Sequence, residues 1–219
     1  MILEFIIENF GFLPKYYKFF LSGTGYTLVL SILTVIFGLL GGLLLALMKT
    51  SNNRVLRGIA VAYIEFIRGT PLLIQLYIVY YGIADIPMFL AGVLAMSINS
   101  SAYIAEIIRA GINSVDKGQM EAARSLGMSI SLSYREIIIP QAMKNILPAL
   151  GNEFIVLIKE SAIVSVIGIH DLMFNTDTVR GITYIAFSPL VVAAFIYFIM
   201  TFTLSKVLGR VERRMTVSD

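Results

Sequence analysis

Residues Thr24–Met48 read TGYTLVLSILTVIFGLLGGLLLALM and contain no charged side chain. About 20 mostly apolar residues suffice for a helix to cross the hydrocarbon core of a bilayer, so this stretch predicts a membrane-spanning helix. The 219-residue chain is 58% hydrophobic and only 14% charged, whereas soluble domains carry about 25% charged residues. The sequence therefore predicts an all-α membrane protein.

Four further stretches have the length and composition of membrane-spanning helices. We place them at Ile59–Gly82, Met88–Gly111, Leu147–Gly168 and Pro189–Leu208. Five spans put the two termini on opposite sides of the membrane. An odd number also argues against an inverted repeat within one chain, which is the common build of secondary transporters.

The distribution of lysine and arginine predicts the orientation, because short cytoplasmic loops collect these residues. One predicted side carries only Lys15, Lys18 and Arg180. The opposite side carries Lys49, Arg54, Arg57, Arg109, Lys117, Arg124, Arg135, Lys144, Lys206, Arg210, Arg213 and Arg214. We therefore expect the N-terminus outside and the C-terminus in the cytoplasm.

Three parts of the chain follow from this topology. Residues 1–23 mix aromatic and charged side chains, which is typical of an amphipathic segment at the outer interface; a disordered leader is the alternative. Residues 24–211 form the predicted transmembrane domain, with a cytoplasmic loop over 112–146, and residues 212–219 form a cytoplasmic tail.

Several kinds of chemistry are excluded by composition. The chain has no cysteine and a single histidine, His170, so a thiol nucleophile and a histidine-rich metal site are both excluded. No aspartate lies within the predicted spans, which argues against an intramembrane protease. The hydrophobicity excludes a basic nucleic-acid binder.

The cytoplasmic loop has the pattern of a compact helical element. Gln119–Leu126 is rich in good helix formers, and Gly127 follows at the position of a left-handed cap. Ser133 and Glu136 have the spacing of a capping box that would begin a second helix. This element either ties two spans together or docks into a groove on a soluble partner, and periodicity alone does not separate the two interpretations.

Motifs resolve that choice. The loop sequence Glu121–Gly127 (EAARSLG), followed by Ile139–Ala142 (IPQA), resembles the EAA loop of ATP-binding-cassette (ABC) importer permeases. Three other segments resemble signatures of the polar amino-acid permeases of that family, which include histidine, glutamine and arginine permeases. These segments are Glu65–Leu73 (EFIRGTPLL), Ser101–Gly111 (SAYIAEIIRAG) and Leu157–Ser161 (LIKES).

The resemblance implies a type I importer fold and a multi-pass subunit of the bacterial plasma (inner) membrane. It implies two permease subunits, two cytoplasmic ATPases and usually an external solute-binding protein. We expect the two permease subunits to form a homodimer, and a pair of different permeases is the alternative. ATP and magnesium would be bound by the ATPases, because this chain has no phosphate-binding GxxxxGK[S/T] motif and is not itself an enzyme. Coupling to the ATPases would run through Glu121, Ala122, Ala123, Arg124 and Gly127.

Charged groups within the fourth predicted span mark a candidate substrate site, since charges at bilayer depth usually face a pathway or a partner. Glu153 and Glu160 are seven residues apart and share one helical face. Glu153 is the candidate ligand for a positively charged group, and a hydrogen bond to a neighbouring helix end is the alternative. Glu160 is a second candidate, although an ion pair of Lys159 and Glu160 across helices is the structural alternative.

Polar residues also gather on the third predicted span. Four polar residues within Ser97–Ser101 exceed the number that interhelical hydrogen bonding requires, and Tyr103 shares the helical face of Asn99. Candidate contacts for the carboxylate and ammonium of an amino acid are Ser97, Asn99, Ser100 and Tyr103. We interpret Glu106 and Arg109 as a structural pair.

The second predicted span contains Gly69-Thr70-Pro71, which should break the helix. Broken helices expose backbone groups to solutes, so Thr70 is a further candidate contact. Glu65 and Arg68 are expected to pair with each other or with the coupling region.

The expected function is therefore an ATP-driven importer permease for polar amino acids, with basic amino acids preferred because the carboxylates outnumber a single substrate ammonium. A secondary transporter or channel driven by an ion gradient is the alternative.

Overall fold

The computed structural model describes residues 9–216, with side chains as far as Arg213. No β-strand occurs in this range, which confirms the all-α fold class. The helices are α1 (Leu13–Thr50), α2 (Arg54–Arg68), α3 (Leu72–Gly82), α4 (Met88–Asn113), α5 (Lys117–Ser125), α6 (Ile130–Ser133), α7 (Ile139–Glu160), α8 (Leu172–Thr183) and α9 (Ser188–Thr216). A π-helical turn (Tyr134–Ile138) precedes α7, and a 3₁₀ segment (Ser161–Ile167) follows it.

Three single helices are long and apolar enough to cross a membrane: Leu13–Thr50, Met88–Asn113 and Ser188–Arg213. The pair α2–α3 meets the same criteria as one span that is bent by 108°. The fourth predicted span coincides with α7 and the 3₁₀ segment, and α7 carries four charged residues: Lys144, Glu153, Lys159 and Glu160. The number of five spans and the orientation stay predictions.

Helix α1 begins earlier than expected. It starts at Leu13, with proline at the start of its first turn, and runs without a break to Thr50. The predicted interfacial segment therefore joins the first span from Leu13 onward, while Glu4 and Glu8 lie outside the described residues. Its 38 residues make a helix about 57 Å long, which is longer than the roughly 30 Å hydrocarbon core. At the other end of the chain, α9 extends to Thr216, so the first half of the predicted tail is helical.

The break in the second span lies where Gly69-Thr70-Pro71 predicts it. The Gly69 N–H donates to the Glu65 carbonyl and ends α2, and Pro71 begins α3 from an extended conformation with φ −63° and ψ 135°.

The core is built around α1 and α4, which make the most extensive helix contact in the fold. Buried side chains of both helices and of the 3₁₀ segment form the largest apolar cluster, including Leu30, Met96 and Val164. This packing fixes the face of α4 that carries the polar residues.

Helix α8 was not predicted. Asp171 begins it by accepting the backbone N–H groups of Met173 and Phe174, and burial raises the pKa of this carboxyl to about 6. The Leu172 N–H donates to the Thr27 hydroxyl, which ties α8 to α1.

Candidate functional site

The polar residues of α4 differ in exposure. Ser97, Asn99 and Ser100 are buried within the chain. The Ser97 hydroxyl lies 3.5 Å from the Thr34 carbonyl of α1, whereas Tyr103 is 38% exposed. One end of this polar face is therefore closed by α1, and the Tyr103 end is open.

Gln75, which was not among the predicted site residues, organises the break in the second span. Its Nε2 lies 2.8 Å from the Ile67 carbonyl, 3.1 Å from the Thr70 carbonyl and 2.8 Å from the Thr70 hydroxyl. Its Oε1 accepts a hydrogen bond of 2.9 Å from Asn99 Nδ2. Thr70 and Asn99, two predicted contacts, are thus joined through Gln75, which is 5% exposed. A polar side chain four residues beyond a proline break was the available signal.

Glu153 lies opposite α4. Ser100 Oγ donates a hydrogen bond of 3.2 Å to Glu153 Oε1, so the predicted residues of the third and fourth spans meet across α4 and α7. Among the side chains of residues 9–213, no lysine or arginine nitrogen forms an ion pair with Glu153. The side chain is half-buried, which leaves this carboxylate accessible from one side.

Glu160 lies one residue before the 3₁₀ segment and is exposed, as is Lys159. The ion pairs found in the described part of the chain include neither residue. The cross-helix pair that was the structural alternative for Lys159 and Glu160 is thus not formed within this part of the chain.

Glu106 is the centre of a larger charge cluster than expected. Besides Arg109 Nη2 at 2.8 Å, it contacts Lys49 Nζ at 2.5 Å and Arg68 Nη1 at 3.9 Å. The Arg68 guanidinium also lies 5.5 Å from the centre of the Tyr103 ring. Arg68 therefore joins Glu106 rather than Glu65, and the ends of α1 and α2 are tied to α4 beside the open end of the polar face.

Helix α5, which carries the segment that resembles the EAA loop, is capped at both ends. Asp116 caps its start by accepting the Gly118 N–H. At its end the Gly127 and Met128 N–H groups donate to the Arg124 and Ala123 carbonyls, the pattern of a Schellman cap. Gly127 has φ +83°, which confirms the predicted left-handed conformation.

The start of the next helix differs from the prediction. Ser129, not Ser133, caps it by accepting the Leu132 N–H, and α6 begins at Ile130. Ser133 is buried and its hydroxyl donates to the Ser129 carbonyl. The Schellman turn ends at Met128, and the next helix begins directly after it. This start is four residues earlier than the capping-box spacing predicts.

The predicted coupling residues divide between two faces of α5. Glu121, Ala122 and Arg124 are exposed, while Ala123 is 1% exposed. The interpretation of two paired alanines on a docking surface is therefore corrected for Ala123, whose side chain faces its own chain. A shallow cavity of about 650 Å³ beside α5 is lined by Asp116, Met120, Glu121 and Tyr134.

Known proteins resemble this chain over nearly its whole length. A protein of Rickettsia conorii (strain ATCC VR-613 / Malish 7) named as a glutamine transport system permease is 46% identical over 99% of this chain and 100% of its own length. The arginine transport system permease protein ArtQ of Bacillus subtilis (strain 168) is 44% identical over 92% of this chain and 94% of its own length.

Solved structures agree with the fold. The crystal structure of an amino acid ABC transporter with histidines contains a chain that is 56% identical, with a TM-score of 0.89, over 92% of this chain and 96% of that one. A chain of the MetNI methionine ABC transporter, inward facing, is 18% identical with a TM-score of 0.74, over 91% of this chain and 97% of that one; at this identity it supports the fold alone.

Residues 38–217 match the family of binding-protein-dependent transport system inner membrane components. This match covers most of the chain, including the bent span, the polar face of α4, Glu153 and the EAA helix. The chain therefore belongs to that family, the membrane-spanning subunits of ABC importers.

Proposed function

We propose that this permease subunit imports polar amino acids and prefers those with a basic side chain. The observation that carries the proposal is the half-buried Glu153 carboxylate, hydrogen-bonded to Ser100 and free of a cationic partner in the described residues. A desolvated carboxylate of this kind stabilises an ammonium or guanidinium group. The names of relatives point to both arginine and glutamine, and the carboxylate favours the basic substrate.

In this proposal the predicted residues have distinct roles. Glu153 pairs with the positively charged group of the substrate, and the exposed Glu160 adds negative potential seven residues further along α7. Ser97, Ser100 and Tyr103 supply the polar lining of α4. Thr70 and Asn99 hold the broken span in shape through Gln75.

Transport requires partners that supply energy and substrate. We propose two ATPase subunits that bind ATP and magnesium, a second copy of this permease and an external solute-binding protein. The exposed face of α5, formed by Glu121, Ala122 and Arg124, would receive the ATPase motion. The pathway then alternates between outward and inward access, which requires each ligand to favour one state.

The test is Glu153→Gln in proteoliposomes that contain the ATPase and binding protein, with uptake of arginine and glutamine measured side by side. Breaking a buried charge pair costs at least about 2 kcal/mol, so arginine uptake should fall roughly 30-fold relative to glutamine uptake. Asp177→Asn, which removes an exposed carboxylate paired with Arg180, is the control and should leave the ratio unchanged.

An unchanged ratio in Glu153→Gln would remove Glu153 from the substrate site. Uptake that continues without the ATPase or without ATP would favour transport driven by an ion gradient and overturn the proposed mechanism.

A further inference from the structure

One face of α9 carries an exposed row of phenylalanines. Phe195, Phe198 and Phe202 are 62%, 57% and 49% exposed, and their neighbouring ring centres are 6.4 Å and 5.4 Å apart. In the apolar 18-residue stretch that makes α9 a candidate membrane span, only 6% of the residues are buried inside the chain. This row lies on the least covered of the three single-helix spans.

The same face continues into a row of positive charges. Lys206, Arg210 and Arg213 follow at i, i+4 and i+7, which is one helical face, and all three are exposed. The Lys206 ammonium lies 5.2 Å from the centre of the Phe202 ring, so the two rows are continuous. The ion pairs found among the described side chains, which end at Arg213, include none of these three cations. Glu212 projects about 200° around the helix from Arg210.

The spacing matches the depth of a lipid leaflet. Phe195 and Lys206 are eleven residues apart, or about 16 Å along the helix. Half of a hydrocarbon core of roughly 30 Å is about 15 Å. When the phenylalanine row lies in one leaflet, Lys206 therefore reaches the level of the headgroups, and Arg210 and Arg213 lie just beyond it.

We propose that this face of α9, the lipid stripe Phe195–Phe198–Phe202–Lys206–Arg210–Arg213, binds anionic phospholipid. The cations hold the phosphate headgroup, and the rings line the path of an acyl chain. Exposed lysine and arginine side chains at a membrane surface attract anionic lipid in this way. The inference concerns a surface separate from the substrate site and does not depend on which amino acid is transported.

Charge argues against a second copy of this chain as the occupant. A twofold contact along this face would bring the same patch of each protomer together. Lys206 and Arg210 would then approach their own copies without an acidic partner, which is unfavourable. An anionic headgroup neutralises these charges.

The test uses the full-length permease purified with its ATPase, with phosphatidylglycerol as the lipid probe and native mass spectrometry as the readout. The double variant Lys206→Gln/Arg210→Gln should bind phosphatidylglycerol about tenfold more weakly or worse, because each such cation contributes substantially to attraction of anionic lipid. Arg54→Gln/Arg57→Gln, which removes two exposed cations at the start of α2, is the matched control and should bind the lipid as the wild type does.

Two additional measurements distinguish binding of anionic phospholipid from binding of neutral lipid or of free phosphate. Phosphatidylcholine should bind wild type and double variant equally, and 50 mM inorganic phosphate should not displace phosphatidylglycerol. Equal loss of phosphatidylglycerol in both double variants, or its displacement by phosphate, would overturn the proposal. Dissociation of the permease pair in Lys206→Gln/Arg210→Gln with unchanged lipid binding would assign the face to a second copy and would also overturn it.

Discussion

At the scale of single residues, the broken span depends on one buried amide. Gln75 donates to the Thr70 carbonyl at the break and to the Ile67 carbonyl, which also accepts from the Thr70 N–H, and it connects both to Asn99 on α4. A buried carbonyl without a donor is costly. The bend of 108° is therefore maintained by a side chain as well as by the proline.

We predict that Gln75→Leu lowers the free energy of unfolding by about 1–3 kcal/mol and reduces uptake, because the Thr70 carbonyl loses its side-chain donor and Asn99 Nδ2 loses its acceptor. Gln119→Leu is the control, because Gln119 is exposed and its side chain accepts an exposed hydrogen bond of 3.2 Å from Gln141. Thermal unfolding of the purified variants in detergent measures the difference. Equal melting temperatures for the two variants would show that Gln75 does not support the break.

Glu106 is a second single residue that joins several helices. Its side chain is 16% exposed and contacts three cations that are 22%, 45% and 40% exposed. Exposed ion pairs contribute little to stability, but this carboxylate is more buried and bonds to the ends of α1 and α2. It fixes the position of Arg68 beside Tyr103 at the open end of the candidate site.

At the scale of helices, α1 and α8 touch backbone to backbone. A Cβ atom at Gly23 would lie 2.7 Å from Leu172 Cα and 2.8 Å from the Asp171 carbonyl oxygen, whereas one at Gly25 would have no neighbour within 4 Å. Glycine at position 23 therefore sets the distance between these helices.

We predict that Gly23→Ala destabilises the fold because the backbone of α8 must move. Gly25→Ala, two residues away on the same helix, should be neutral or stabilising by up to about 1 kcal/mol through helix propensity. Melting temperatures of the two purified variants test this directly. A Gly23→Ala protein as stable as Gly25→Ala would contradict the close contact.

Another prediction concerns Gly127, which caps the end of α5. A β-branched residue in the left-handed conformation of Gly127 costs roughly 1–2 kcal/mol, while asparagine adopts it more readily. Gly127→Val should therefore reduce amino acid transported per ATP hydrolysed in the reconstituted complex, and Gly127→Asn should largely retain it. Equal coupling in both variants would show that the cap of α5 does not matter for transport.

The topology of the complete chain depends on how it crosses the membrane. Three single spans and the bent pair account for all candidate spans in the described residues, and the fourth predicted crossing depends on α7 and the 3₁₀ segment. Gln119 precedes these elements in the sequence and Gly181 follows them, and both positions are exposed.

We predict that Gln119 and Gly181 lie on opposite sides of the membrane. The chain has no cysteine, so the variants Gln119→Cys and Gly181→Cys each carry a single reactive thiol. A membrane-impermeant maleimide should label Gly181→Cys in intact cells and Gln119→Cys only in inside-out vesicles. The reverse pattern would invert the orientation, and labelling of both from one side would remove the fourth crossing.

Much of the architecture was predictable from the sequence. The apolar stretches, the break at Gly69–Pro71, the left-handed Gly127 and the family motifs were all identified from local patterns. Helix α8, the early start of α1 and the cap at Ser129 were not, because they depend on short or partly polar segments whose helical state is decided by neighbours.

Hydrophobic length and turn chemistry are local properties of consecutive residues, so the amino-acid sequence alone indicates a helical, membrane-embedded chain. The contacts between distant polar groups became known only from the packing of the helices. Gln75 and Asn99 are 24 residues apart, Lys49 and Glu106 are 57 apart, and Thr27 and Leu172 are 145 apart. Such pairings are set by how whole helices pack against one another, and no periodicity within a single segment encodes them.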